Sequence, residues 1–171
     1  MAITTVAQAA ASTEYQNKAA FLAQFPNFVE WPIDTSQTAP SSFQICVYGD
    51  FNFGTSLAES TRGTTVHGRK LEVRWVRKLP EIRTCQILFV SRSEHARYRQ
   101  VLAVVANSGV LTVGESAGFL EDGGAICFSY DRELLQFEVN LAAAHDARLK
   151  MSAQLLGLAR RVMNTAEGAK G

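Results

Sequence analysis

Apolar residues recur along this chain in two periods, and the switches between them mark out its elements. From Glu14 to Val29, Tyr15, Ala19, Leu22 and Phe25 fall at helical spacing, with Ala20, Phe21, Phe28 and Val29 widening the same face. That pattern predicts a first helix. Pro26 should kink it or end it early, because proline removes a backbone donor and clashes with the preceding turn. Trp31-Pro32 stops it, and Asp34 to Ser42 is a polar loop. Phe43 to Tyr48 is then a nearly continuous apolar run, the mark of a buried strand. A Gly49-Asp50 turn and Gly54 lead from it into a short helix ending near Thr61. A strand feeding a helix through a tight turn opens an α/β unit.

Gly63 and the His67-Gly68 pair bracket the next turn. After it, Leu71, Val73 and Trp75 alternate with Lys70, Glu72 and Arg74, a half-buried strand at a sheet edge. Ile87 to Val90 reads as a central strand, Ser93 to Asn107 as a helix with Val101, Leu102, Val104 and Val105 facing in, and Val110 to Val113 as a strand ended by Gly114. Ala125–Phe128 and Leu134–Val139 form a strand pair joined through Tyr130 to Glu133. Asn140 is the expected N-cap of a last helix from Leu141 to Met163, its apolar stripe running through Leu149, Ala153 and Leu156, with Arg160 and Arg161 suiting the negative end of its dipole. The fold class expected is α/β: a single layered domain, mostly parallel sheet flanked by helices, with an antiparallel strand pair near its C-terminal end. The domain is expected over residues 14–163, with 164–171 a disordered tail.

Composition narrows the function classes. The chain has 171 residues, 47% of them hydrophobic and 19% charged, which describes one globular domain able to bury a core. Lys plus Arg number 17 against 16 acids, a balance that argues against a nucleic-acid partner held by bulk charge. Residues 1–13 are small and uncharged, and Ala7-Gln8-Ala9 has the A-x-A form of a signal-peptidase site without the basic and apolar regions that should precede it. A trimmed signal-peptide remnant and a disordered N-terminus are both consistent with them.

Candidate chemistry is sparse. Gly114-Glu115-Ser116-Ala117-Gly118 is a literal G-x-S-x-G after a strand, with Asp122 or Asp131 and then His145 downstream in hydrolase order. A nucleophile elbow needs a helix straight after its serine, whereas Phe119 to Gly124 leads into another strand, so no catalytic residue is expected. His67, His95 and His145 lack partners at metal-ligand spacing, and no metal is expected. Gly49-Asp50 with Gly54 falls short of a dinucleotide fingerprint, and no cofactor is expected. Asp50 at a strand end either caps its turn or touches a ligand, and Asp50, Phe53 and Gly54 are the candidate ligand or partner loop. Cys46, Cys85 and Cys127 each fall in or beside a strand. In a reducing compartment all three pass as small buried hydrophobes; in an oxidising one two of them should pair, with Cys46 and Cys85 on strands that are often neighbours.

The chain also resembles a known family. Glu14-Tyr15-Gln16-x-Lys18-Ala19-Ala20-Phe21, Phe28-Val29-Glu30-Trp31-Pro32, Ile45-Cys46-Val47-x-Gly49-Asp50 and Phe53-Gly54 resemble the opening of the YfiR family. Gly68-Arg69, Cys85-x-Ile87-Leu88-Phe89-Val90-Ser91, Leu111-Thr112-Val113-Gly114, Gly123-Gly124-x-Ile126, Phe137-Glu138-Val139-Asn140 and Leu155-Leu156-x-Leu158-Ala159 continue it in order. The resemblance implies a non-enzymatic periplasmic repressor that binds the periplasmic domain of a membrane-anchored diguanylate cyclase. Such binding lowers cyclic-di-GMP output and biofilm formation. It implies a homodimer, a candidate outer-membrane lipoprotein partner, an exported chain and a Cys46–Cys85 disulfide. The best-known member has two cysteines around the Gly-Gly loop, where this chain has Cys127 alone.

Overall fold

The computed structural model describes residues 2–32 and 41–164, with side chains from Thr13 onward. Helix α1, Ala2–Gln24, passes through the Ala7-Gln8-Ala9 segment. It gives way at Pro26 to a 3-10 turn, Phe25–Asn27, as the missing proline N–H requires. The expected helical reach to Val29 is therefore corrected: Val29–Glu30 is a strand, β1. Residues 34–40 of the expected polar loop lie outside the described residues, as does the tail from Thr165, and Ser42 already belongs to β2, Ser42–Tyr48.

Beyond β2 come helix α2 (Ser56–Thr61), strands β3 (Thr65–Val66) and β4 (Arg69–Val76), and a 3-10 segment, Leu79–Thr84. Strand β5 is Ile87–Val90; a 3-10 segment, Arg92–Arg97, then runs into α3, Tyr98–Val104. The helix expected to start at Ser93 is thus α-helical only from Tyr98. Strand β6 is Leu111–Gly114, and β7 (Ile126–Asp131) and β8 (Leu134–Asn140) form the expected antiparallel pair. Its two linking residues, Arg132 and Glu133, both take positive φ, the type I′ geometry that matches the strands' twist.

The single last helix expected over Leu141–Met163 is four elements: α4 (Leu141–Asp146), β9 (Lys150–Met151), α5 (Ala153–Leu158) and β10 (Arg161–Met163). Asn140 does cap α4, its side chain accepting from Ala142 and Ala143 N–H. The helix then breaks where Arg148 turns to φ 61°, and β9 pairs antiparallel with β1. Ser152 caps a fresh helix through Leu155 N–H. Arg161 lies on a strand and pairs with Glu138, not with a helix end.

Eight strands form one sheet in the order β10-β8-β7-β6-β5-β2-β4-β3, with β2, β4, β5, β6 and β7 parallel. The protein is a single α/β domain. Alternation along the central strands sends Phe43, Ile45, Val47, Ile87 and Phe89 to the face covered by α1, α2 and α5, and Cys46, Tyr48, Leu88 and Val90 to the face covered by α3. Both faces are buried, which is why β2 and β5 read as unbroken apolar runs. Leu22 of α1 and Phe25 of the turn after it are essentially fully buried, and burying each such side chain contributes about 1.5–3 kcal/mol. Trp75 departs from its alternation: it is 48% exposed, its indole N–H donating to Gly49 O at 2.9 Å, while Val76 beside it is buried.

Candidate functional site

From β2 the chain moves outward to β4 and then crosses back to β5 on the other side of β2. The loops leaving β2 and β5 therefore diverge, and a crevice opens at their carboxyl ends, the usual ligand position in open α/β sheets. Three loops meet there: Gly49 to Thr55 after β2, Ser91-Arg92 after β5, and Glu115 directly after β6. Gly49 has φ 101°, and a Cβ on it would lie 2.8 Å from Glu94 and Ser93 side-chain atoms, so only glycine lets the first two loops touch. Asp50 N–H donates to Ser93 Oγ at 3.0 Å and Ser91 Oγ donates to Asp50 O, closing that contact.

Helix α1 fills the crevice. Lys18 Nζ lies 2.7 Å from Glu115 Oε1, and the two side chains are 1% and 0% exposed. Glu14, one turn back, pairs with the same ammonium, which also sits 4.5 Å from the centroid of the Tyr15 ring. Glu115 accepts from Tyr15 OH at 3.0 Å and from Arg92 N–H at 2.8 Å. The buried charge is thus matched and hydrogen-bonded, the condition under which an interior ion pair is tolerated. Burial, then the adjacent Glu115 charge, pushes the Tyr15 phenol far above its ordinary value, so it is a neutral donor. These five residues come from α1 and two strand ends. In the sequence the signs are local ones: Lys18 stands within the apolar stripe of Tyr15, Ala19 and Leu22, four residues after Glu14.

The loop residues singled out by sequence have different roles. Phe53 is 2% exposed and packs edge-on to Phe89 and Tyr15, with centroids 5.0 and 5.2 Å away, so it is core. Asp50 is exposed, and Gly54, at φ 54°, starts the turn into α2. In the G-x-S-x-G segment, Ser116 Oγ lies 2.8 Å from Tyr98 OH and a turn follows in place of the helix an elbow needs. Its glycines answer to packing: a Cβ on Gly114 or Gly124 would lie 2.3 or 2.1 Å from the buried Phe119 ring.

On the opposite face, Cys46 and Cys85 are joined with Cα atoms 5.9 Å apart, tying β2 to the entry of β5. Cys127 is a free thiol, its Sγ 3.3 Å from Ser116 O. Burial pushes its pKa up to about 12, so it is a thiol and not a thiolate at neutral pH. Two grooves lie elsewhere. One of about 460 Å³ runs between α3 and α4, past Ala103, Thr112, Asp122 and Asn140. One of about 250 Å³ is apolar and lies between α1 and α5, lined by Ala20, Phe21, Phe25, Phe28, Leu155 and Leu158.

With this geometry in place, the sequence model of the YfiR/HmsC-like family matches residues 15–160. The chain belongs to the YfiR/HmsC-like family. For this YfiR/HmsC-like protein the family supports a regulatory, non-catalytic role in the periplasm, and the disulfide fits an oxidising compartment. No curated protein matches the chain at a significant level. Among solved structures it is similar to a conserved domain protein from Vibrio cholerae, with a TM-score of 0.56 and 11% identity, over 86% of this chain and 60% of that one. It is also similar to an ABC domain from Streptococcus pneumonia in complex with L-Trp, with a TM-score of 0.52 and 13% identity, over 72% of this chain and 56% of that one. The YfiR/HmsC-like chain spans under two thirds of either structure, and at these identities the likeness is one of fold.

Proposed function

We propose that this protein represses a membrane-anchored diguanylate cyclase by binding its periplasmic sensor region, lowering cyclic-di-GMP signalling and biofilm formation. The observation that carries the reading is the family match across residues 15–160. Repression of this kind needs no chemistry; it needs tighter binding to the inactive state of the partner than to the active one. The apolar groove between α1 and α5, where Leu158 is 61% exposed, supports a protein-contact role, as apolar anchors in shallow grooves do at interfaces. The same reading includes a homodimer and release by an outer-membrane lipoprotein that sequesters the repressor. The test is reconstitution of the oxidised chain with the periplasmic domain of a diguanylate cyclase encoded beside it. Co-elution, with raised cyclic-di-GMP on deletion, supports the reading; no binding and unchanged cyclic-di-GMP overturn it.

A second reading, a small-ligand sensor, draws on the 460 Å³ groove and on the fold shared with the L-Trp complex. Against it, the switch-point crevice is filled by Lys18 and Tyr15. A thermal-shift screen with amino acids and other small metabolites separates the two, because a dedicated sensor is stabilised with the logarithm of ligand concentration over its Kd.

A further inference from the structure

The β3–β4 edge of the sheet concentrates charge that the rest of the chain balances. Between Arg62 and Arg83 stand seven of the 17 Lys and Arg residues against two acids, Glu72 and Glu81. Among the described residues none of those seven is in an ion pair, whereas Lys18, Arg92, Arg97, Arg99 and Arg161 all are. Arg74 instead bonds the neutral Gln44 and Thr84, and Arg77 lies 4.1 Å over the exposed Trp75 ring.

The backbone at this edge is open as well. Strand β3 pairs with β4 only at Arg69 and Lys70, and Leu71 N–H donates outward to Thr64 O. Backbone groups along a strand alternate sides with a period of two, so the N–H and C=O of Val73 and Trp75 also point outward, beyond the end of β3. An unpaired strand edge accepts a further strand through main-chain hydrogen bonds, with flanking side chains setting specificity. Here those side chains are cations around one exposed tryptophan, a residue type enriched among binding hot spots. A second copy of this chain fits badly, since it brings the same excess of cations to the edge.

We infer that the open edge of β4, from Glu72 to Arg77, is a docking site for an extended acidic segment of a partner protein, which adds to the sheet as a strand beyond β3. Its carboxylates meet Arg77 and Lys78, and one apolar side chain packs on Trp75. The inference stands apart from the identity of the regulated protein, because it follows from edge geometry and charge alone.

The experiment uses the oxidised full chain and a fluorescein-labelled peptide of alternating Thr and Glu, with alternating Thr and Lys as control. The Glu peptide is expected to bind, more weakly as salt rises. Arg77→Glu with Lys78→Glu, both exposed and without side-chain hydrogen bonds, is expected to weaken binding about tenfold or more at unchanged melting temperature. Trp75→Ala removes the ring; Trp75→Pro also removes the outward N–H, as edge proline can without breaking the ladder. The proline variant should therefore bind about threefold to tenfold less tightly than the alanine variant. Failure of the Glu peptide to bind better than the Lys peptide would overturn the proposal. So would equal affinities of the two Trp75 variants, or binding to phosphatidylglycerol vesicles in place of the peptide, which would make the patch a membrane surface.

Discussion

Lys18 and Arg77 are both cations near the carboxyl ends of parallel strands of one sheet, and the fold treats them oppositely. Lys18 is 1% exposed, held between two carboxylates and laid across the ring of Tyr15. Arg77 is exposed, meets no carboxylate among the described residues and covers an exposed tryptophan. At the switch point Lys18, Glu14, Glu115 and Arg92 find their partners within the chain itself, so the crevice is closed and serves the scaffold. Along the β4 edge no charge is in an ion pair among the described residues, which leaves them for the partner strand proposed above. The same residue chemistry is structural where it is paired and buried, and available for recognition where it is neither.

The largest expected effect breaks the closed side of that comparison. Lys18→Met leaves Glu115 buried without its counter-charge and should destabilise the oxidised protein by about 3–5 kcal/mol in chemical denaturation. Adding Glu115→Leu should recover part of the loss, since a buried pair replaced by apolar groups is often near neutral. The disulfide holds the other face of the same strands. Its sequence separation of 39 residues gives a chain-entropy contribution of about 4 kcal/mol, lost in a Cys46→Ala, Cys85→Ala double variant. Gly114→Ala, with its Cβ 2.3 Å from the Phe119 ring, should cost about 1–3 kcal/mol by overpacking, read as a lower denaturation midpoint.

The smallest effect is on pH dependence. Cys127 has its pKa raised from 9.0 to about 12, so its contribution is fully present below pH 9.0 and is lost as pH rises toward about 12. Melting temperature should fall over that range, and Cys127→Ala should flatten part of the fall. Tyr15, also raised from 10.0, supplies a further decline in the same direction. Below pH 9.0 the free thiol should react slowly with a thiol reagent, and fast labelling would contradict its placement.

What the sequence made legible follows from where each signal is local. The apolar runs of β2 and β5 were readable because both faces of those strands are covered, and Pro26 was readable because its effect on α1 is covalent. The segment from Leu141 to Met163 reads as one helix because Leu149, Ala153 and Leu156 fall at helical spacing, although they lie on a turn and a fresh helix separated by a two-residue strand. The deciding contacts, β9 with β1 and β10 with β8, come from elsewhere in the chain. At the switch point Glu14 and Lys18 show as an i, i+4 pair, but Glu115 is 97 residues from Lys18, and no local pattern joins them. Phe53 reads as a loop residue because its position after a strand is visible in sequence and the aromatic cluster it enters is not.

Amide hydrogen exchange on the oxidised chain tests the closed crevice and the open edge together. The Arg92 N–H, bonded to buried Glu115, and the α1 amides from Tyr15 to Leu22 should exchange at the slow rate of β5. The Val73 and Trp75 amides should exchange fast, although they sit in the interior of an eight-residue strand. Slow exchange at Val73 and Trp75, or fast exchange at Arg92 and along α1, would contradict the account.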